Sequence, residues 1–210
     1  MRDKPNRLIR PSMFDLRIAL VPDDPVSESQ WRDCEPVALH EGTLEMLVAD
    51  MAEGPTPLTT ETIERLDWDP WETWASARSL TEALEGADEV NVIDVGDAEL
   101  IHLYSDRPYL ASLIGVVDQL VEGIGERGAL VSIPSRHGLL VHPLHDATGR
   151  AALGAMVPLT RSVFQSGPGS VSPHVYWWRN TVVDWIPTAM SPEGVDCYPP
   201  SELAELLDAA

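Results

Sequence analysis

The first regular pattern along the chain is an alternation of apolar and polar side chains near its start. In the run 13–21, MFDLRIALV, every second residue from Phe14 to Leu20 is apolar, and the positions between include Asp15 and Arg17. A period of two is typical of a strand with one buried face. The pattern therefore predicts a strand over 13–21.

Three later stretches carry apolar residues at helical spacing. In the first, Asp69 suits the N-cap and Pro70 the first helical position. Its apolar stripe is Trp71, Trp74, Ala77, Leu80 and Leu84. Both tryptophans of this stripe are expected in the core. Further helices are predicted over 106–123 and 148–165, the latter kinked or split by Pro158.

Strand pairs joined by turns are predicted between these helices, at 89–104, 130–142 and 174–186. Hairpins joined by helices favour an antiparallel or mixed sheet over a doubly wound parallel one. The predicted fold class is therefore α+β, with an antiparallel or mixed sheet built from hairpins alternating with helices. Residues 1–66 lack this alternation and are interpreted as an N-terminal lobe or small subdomain. Residues 67–210 form the main α+β domain, and one continuous domain is the alternative.

The composition adds a strong negative charge. The 210 residues include 14 Lys and Arg against 34 Asp and Glu, a formal net charge of −20. Such a chain repels the phosphate backbone, so nucleic acids and anionic membranes are poor partners and a basic protein is an easier one. The alternative is that the acidity serves solubility, or reflects a high-GC bacterial genome or a salt-adapted proteome.

No membrane span or export signal is evident from the sequence. No run of 18 apolar residues occurs, and residues 1–10 lack the apolar centre of a signal peptide. Cys34 and Cys197 lie far apart and follow no metal or redox spacing. These features predict a cytoplasmic protein with two reduced thiols and no cofactor.

One hairpin resembles a known family. The run 130–141, LVSIPSRHGLLV, resembles the hairpin of the YtpQ-like family of uncharacterised bacterial proteins. Residues 57–68, 69–84 and 105–113 resemble helical segments of that family in the same order, and the likeness extends over 36–186. The resemblance implies a shared fold. It assigns no activity, cofactor or catalytic residue to this chain.

Tryptophan is enriched, with seven among the thirteen aromatic residues. Trp177 and Trp178 are adjacent on a predicted strand, so their side chains point to opposite faces. Both are buried only if both faces of the sheet are covered; otherwise one is exposed and has the composition of an interface hot spot. The predicted partner-binding residues are Arg136, His137, Tyr176, Trp177, Trp178 and Arg179.

The region 132–146 also allows a catalytic or metal interpretation. Its imidazole and carboxylate groups are His137, His142, His145 and Asp146. A strand and its turn need not bring them together, and no HExxH motif or paired cysteine accompanies them, so no metal site is predicted. Ser132 or Ser135 with a histidine would make a nucleophilic set, but neither lies in a G-x-S-x-G elbow.

The sequence therefore predicts a non-catalytic protein-interaction module: an acidic adaptor, a chaperone-like protein or an immunity-type protein that binds a partner protein, with a basic partner favoured. The alternative is a small hydrolase that uses His137 or His142. A homodimer, in which the same surface of two copies forms the interface, is a third interpretation.

Overall fold

The computed structural model describes residues 10–24, 31–145, 147–192 and 194–208. These residues form five α-helices, three short 3₁₀ segments and twelve strands, and the strand pairs are antiparallel. The α+β class with an antiparallel sheet is confirmed. No helix in these ranges is long and apolar enough to cross a membrane.

The elements are numbered in chain order. The helices are α1 (Thr60–Arg65), α2 (Pro70–Leu84), α3 (Val117–Leu120), α4 (Gly149–Ser166) and α5 (Ser201–Asp208). The 3₁₀ segments are Met13–Asp15, Arg32–Cys34 and Leu110–Val116. The strands are β1 (Leu16–Pro22), β2 (Val37–His40), β3 (Thr43–Met51), β4 (Gly54–Pro57), β5 (Glu89–Val95), β6 (Ala98–Tyr104), β7 (Ala129–Ser135), β8 (Gly138–Pro143), β9 (Val175–Arg179), β10 (Val182–Ile186), β11 (Thr188–Ser191) and β12 (Gly194–Cys197).

The first strand begins later than its alternation predicts, at Leu16. Met13–Asp15 form a 3₁₀ turn because the Asp15 carboxylate accepts hydrogen bonds from both the backbone N–H and the hydroxyl of Ser12, each at 2.7 Å. The spacing of these two residues is that of a capping box, which is the sequence signal for this turn. Phe14 therefore lies outside the sheet and is 79% exposed.

Helix α2 begins as predicted, but it buries a different face. Asp69 caps it by accepting a hydrogen bond from the backbone N–H of Glu72 at 2.9 Å. The buried line is Thr73, Ala77 and Thr81. Trp71 is 80% exposed, so its predicted place in the core is wrong. Small side chains let the helix approach β1 closely, and Trp71, two positions before Thr73, lies about 200° around the helix from that line.

The free edge of β1 is closed by side chains. The backbone N–H of Ile18 donates to the Thr81 hydroxyl, and the Ser112 hydroxyl donates to the Ile18 carbonyl, both at 2.9 Å. A strand edge with satisfied backbone groups does not recruit another strand. Helix α2 and the segment Leu110–Val116 are thereby bound to the first sheet, in which β3 pairs with β1, β2 and β4.

The second sheet is the centre of the molecule, with strand order β10-β9-β7-β8-β6-β5. Leu110–Val116 and α3 cover one face, and α4 and α5 cover the other. The single helix predicted over 106–123 is wrong, since this stretch is a 3₁₀ segment followed by one turn of α-helix. The Trp178 indole donates a hydrogen bond to the Gly115 carbonyl at 3.0 Å. A backbone carbonyl of this irregular stretch is thus paired with a side chain of the central sheet.

The two sheets are in direct contact. Leu20 of β1 packs in the same cluster as Leu103 and Val131 of the central sheet. Helix α2, which follows the predicted domain boundary, packs on the sheet that precedes it. The division at residue 66 stays a prediction.

Helix α4 runs unbroken through Pro158, so the predicted split of this helix is wrong, and the alternative of a kink stays a prediction.

Replacing Thr81 with valine tests the closure of the β1 edge. The change keeps the shape of the side chain but leaves the Ile18 N–H without its acceptor, so the free energy of unfolding should fall by about 1–3 kcal/mol. Urea denaturation measures it. The control Thr56→Val removes an exposed hydroxyl on β4 and should stay within about 0.5 kcal/mol of wild type. Equal midpoints for the two variants contradict the proposed edge contact.

Candidate functional site

Trp177 and Trp178 point to opposite faces of β9, and both faces are covered. Trp177 is 1% exposed and Trp178 is 4% exposed. The Trp177 indole donates to the Arg127 carbonyl at 3.0 Å, and each indole N–H therefore has a partner within the fold. Of the two alternatives, burial of both indoles is the one observed, because α4 and α5 pack on one face of the central sheet and Leu110–Val116 packs on the other.

Tyr176 is also a core residue. Its hydroxyl donates to the Glu41 carbonyl and shares a hydrogen bond with the Ser172 hydroxyl, both at 2.7 Å. Burial raises the pKa of Tyr176 well above its usual range. The Tyr176 side chain links the central sheet to the β2–β3 turn and is not accessible to a partner.

The remaining predicted contact residues are separated along β7. Trp178 lies opposite Ala129 in the β7–β9 register, so Arg179 is near the start of β7, whereas Arg136 follows its end. The seven residues of β7, about 23 Å of strand, lie between the two positions. Arg179 stacks over the Trp177 ring, 4.2 Å from Cζ to the centroid, and pairs with Glu202 of α5. The six residues therefore do not form one surface.

A different surface carries the exposed rings of Phe14 and Trp71. Around α2 the exposed large apolar side chains are Phe14, Val37, Leu39, Trp71 and Leu84. We call the outer side of α2 with the flanking parts of β2 and of the 3₁₀ turn the α2 surface; its members are Phe14, Val37, Leu39, Trp71, Trp74, Ala75 and Leu80. A contiguous exposed apolar region of this kind is typical of a binding site.

Two hollows flank α2 on this surface. One, about 440 Å³, lies between α2 and β2 and is lined by Val37, Pro70, Trp71, Trp74, Ala75 and Arg78. The other, about 390 Å³, lies between α2 and the 3₁₀ turn and is lined by Met13, Phe14, Ala75, Ser76, Ser79 and Leu80. Because Ala75 lines both hollows, its small side chain forms a low ridge between them. The two together could receive bulky side chains from a partner.

Trp74 forms one wall of the first hollow and is held in place. The Arg78 guanidinium lies over its ring, 5.5 Å from Cζ to the centroid, and pairs with the Glu45 carboxylate. A cation stacked on an indole fixes the ring while leaving its other parts accessible. The wall of the hollow is therefore preformed.

The sequence contained two signals for this surface that the stripe of tryptophans obscured. The Ser12 and Asp15 pair predicts a turn where the alternation predicts a strand. Thr73, Ala77 and Thr81 also recur every four residues, as a line of small side chains that suits close packing on a sheet. A helix with two competing lines does not reveal by itself which one is buried.

The histidines of 132–146 do not converge. The His137 Nδ1 atom lies 2.9 Å from the Ser105 carbonyl, in the β7–β8 turn. His142, further along β8, has its Nδ1 atom 2.8 Å from the Glu99 carbonyl and its Nε2 atom 3.3 Å from the Thr148 hydroxyl. Asp146 lies outside the described residues. Among those described, no group of three or more His, Cys, Asp or Glu is placed to hold a metal ion.

Of the two proposed serine nucleophiles, Ser132 is buried and Ser135 is half-buried. Ser132 is buried under α4 and accepts a hydrogen bond from the Thr160 hydroxyl at 2.8 Å. Ser135, at the end of β7, pairs with Gly138 across the turn. His142 does line a cavity of about 440 Å³, together with Glu122, His145 and Thr148 among others. An imidazole and a hydroxyl thus meet at one cavity of the described fold.

No family model, curated protein or solved structure matches this chain. The resemblance of 130–141 to the YtpQ-like family stays a prediction.

The exposure of Trp71 and the burial of Trp177 can be compared through stability. Trp71→Ala should change the free energy of unfolding by no more than about 0.5 kcal/mol, because the indole makes few core contacts. Trp177→Ala should lower it by about 3–5 kcal/mol through loss of burial and an unfilled cavity. Urea denaturation of both variants checks the pair. A large loss in Trp71→Ala would place that indole in the core and remove the candidate surface.

Proposed function

We propose that this protein is a non-catalytic protein-interaction module, and that its α2 surface is the docking site for a partner protein. The observation that carries the proposal is the 80% exposure of Trp71, which lines an apolar hollow between α2 and β2. Tryptophan is the residue type most enriched among interface hot spots. An adaptor, a chaperone-like protein and an immunity-type protein all use a surface of this kind.

The position of α2 supports a preorganised site. The helix is capped at its start by Asp69 and anchored near its end by the Thr81 hydroxyl bound to β1. Glu85, just beyond the helix, pairs with Arg17. A surface that is rigid before binding loses less conformational entropy when a partner docks.

The net charge of −20 favours a basic partner over a nucleic acid or a second copy of the chain. Two identical chains of this charge repel each other, so a homodimer would need to bury enough apolar surface to overcome that repulsion. We propose that the protein is cytoplasmic. Cys34 and Cys197 are both free thiols, and a reducing compartment keeps thiols in this state.

Affinity capture with matched variants tests the docking site. Full-length wild type, Trp71→Ala and Met190→Ala are immobilised and exposed to extract from the source cells. Met190 is the control because it is an exposed apolar residue on β11, whose partner strand β12 packs against α4. A partner should be retained by wild type and Met190→Ala and lost with Trp71→Ala. The recovered protein, once purified, should bind Trp71→Ala at least about thirtyfold more weakly, as expected for a hot spot.

Equal retention by Trp71→Ala and wild type contradicts the α2 surface as the site. A wild-type chain that elutes as a dimer, and becomes monomeric with Trp71→Ala, would instead assign the surface to self-association.

A small hydrolase is the second candidate, and the contact between His142 and Thr148 favours it. The Glu99 carbonyl holds the His142 Nδ1 atom, which leaves Nε2 directed at the hydroxyl beside the cavity. A hydroxyl, a base and a group that orients the base are the parts of a nucleophilic site. The buried imidazole is also fully satisfied as a structural group, which is why we rank this function second.

A panel of chromogenic ester, amide and phosphoester substrates separates the two functions. Our proposal expects no turnover by wild type above that of His142→Asn. His145→Asn is the control, because His145 lines the same cavity but is exposed. Turnover that survives in His145→Asn and disappears in His142→Asn would establish the hydrolase instead.

A further inference from the structure

The hollow between α2 and β2 is followed along the helix by a smaller cavity. This second cavity, about 140 Å³, is lined by Leu39, His40, Glu45, Arg78 and Glu82 among others. Arg78 lines both spaces, so they are adjacent along α2, and we call the two together the groove. Trp71 stands at one end and Glu82 at the other, eleven residues apart on the helix. At 1.5 Å per residue, the groove is about 16 Å long.

The two ends of the groove differ in chemistry. The Trp71 end is walled by Val37 and by the rings of Trp71 and Trp74, and it suits a bulky apolar side chain. The smaller cavity has the volume of about five water molecules, which admits one side chain rather than a peptide backbone. Its lining combines the carboxylates of Glu45 and Glu82 and small polar groups with the apolar side chains of Ile18, Leu39 and Ile114.

The charge of the smaller cavity is negative. The Arg78 guanidinium is matched by the Glu45 carboxylate with which it pairs, so the Glu82 carboxylate remains as the net charge. Burial lowers the pKa of His40, which keeps its ring neutral at pH 7.5 and adds no positive charge. A cationic group entering this end meets attraction from Glu82, and the net charge of −20 acts in the same direction.

We propose that the partner binds through a segment with two anchors: a bulky apolar side chain in the hollow at Trp71, and a lysine or arginine about 16 Å away in the cavity at Glu82. The inference rests on the proposed function, because it specifies what the α2 surface binds. It also gives the segment a direction along α2. An acidic or purely apolar segment lacks one of the two anchors.

The test is a selection of random 16-residue peptides displayed on phage against the immobilised full-length chain. Selected peptides are synthesised, and their Kd values are measured for wild type, Trp71→Ala, Glu82→Gln and Glu64→Gln. Glu64 is the matched control, an exposed glutamate on α1 outside the groove. Each peptide is also made with its lysine or arginine replaced by norleucine.

We expect peptides with an aromatic or large aliphatic residue and a cation. Trp71→Ala should weaken them at least about thirtyfold, Glu82→Gln about three- to tenfold, and Glu64→Gln less than about twofold. The norleucine peptide should bind wild type as weakly as the parent peptide binds Glu82→Gln, with little further loss when the two changes are combined. Raising the salt concentration should shrink the Glu82 effect and leave the Trp71 effect.

Two negative results have different meanings. Peptides that depend on Trp71 but tolerate both norleucine and Glu82→Gln overturn the cationic anchor and leave the docking surface intact. If the selected peptides bind Trp71→Ala as well as wild type, the α2 surface itself is not the binding site.

Discussion

The buried carboxylate of Glu85 is the contact on which the arrangement of the first sheet and α2 depends. Its side chain is 2% exposed and lies between two guanidinium groups, with Arg17 Nε at 2.6 Å and Arg107 Nε at 2.8 Å. Arg107 also pairs with Asp50 of β3 at 2.6 Å. A buried charge is tolerated only when its partners are in place, so this network fixes the end of α2 relative to β1 and β3.

This network and a separate ion pair shape the two sides of the α2 surface. Arg17 donates a hydrogen bond to the Phe14 carbonyl at 3.1 Å, which holds the 3₁₀ turn that presents the exposed phenyl ring. On the other side, Arg78 joins Glu45 of β3 and stacks on Trp74. The ionic contacts of Arg17 and Arg78 thus help to position the apolar side chains that α2 and the 3₁₀ turn expose to solvent. In our proposal, one face of α2 serves binding and the other serves stability.

Local sequence signals predicted the elements well and predicted their exposure poorly. The Asp69 cap and the hairpin turns depend on neighbouring residues, and these predictions are confirmed. Whether Trp71 or Ala77 faces β1 depends on how closely the helix approaches the strand, which no window of sequence contains. Likewise, Trp177 and Trp178 are both buried because helices that are distant in sequence cover both faces of β9.

Site-specific photo-crosslinking in the source cells tests the docking claim most directly. A benzoylphenylalanine residue is placed at position 71 in the full-length chain and, as a control, at the exposed position 190 on β11. Our account predicts a light-dependent covalent adduct with one basic polypeptide at position 71 and none at position 190. No adduct at position 71, or the same adduct at both positions, contradicts it.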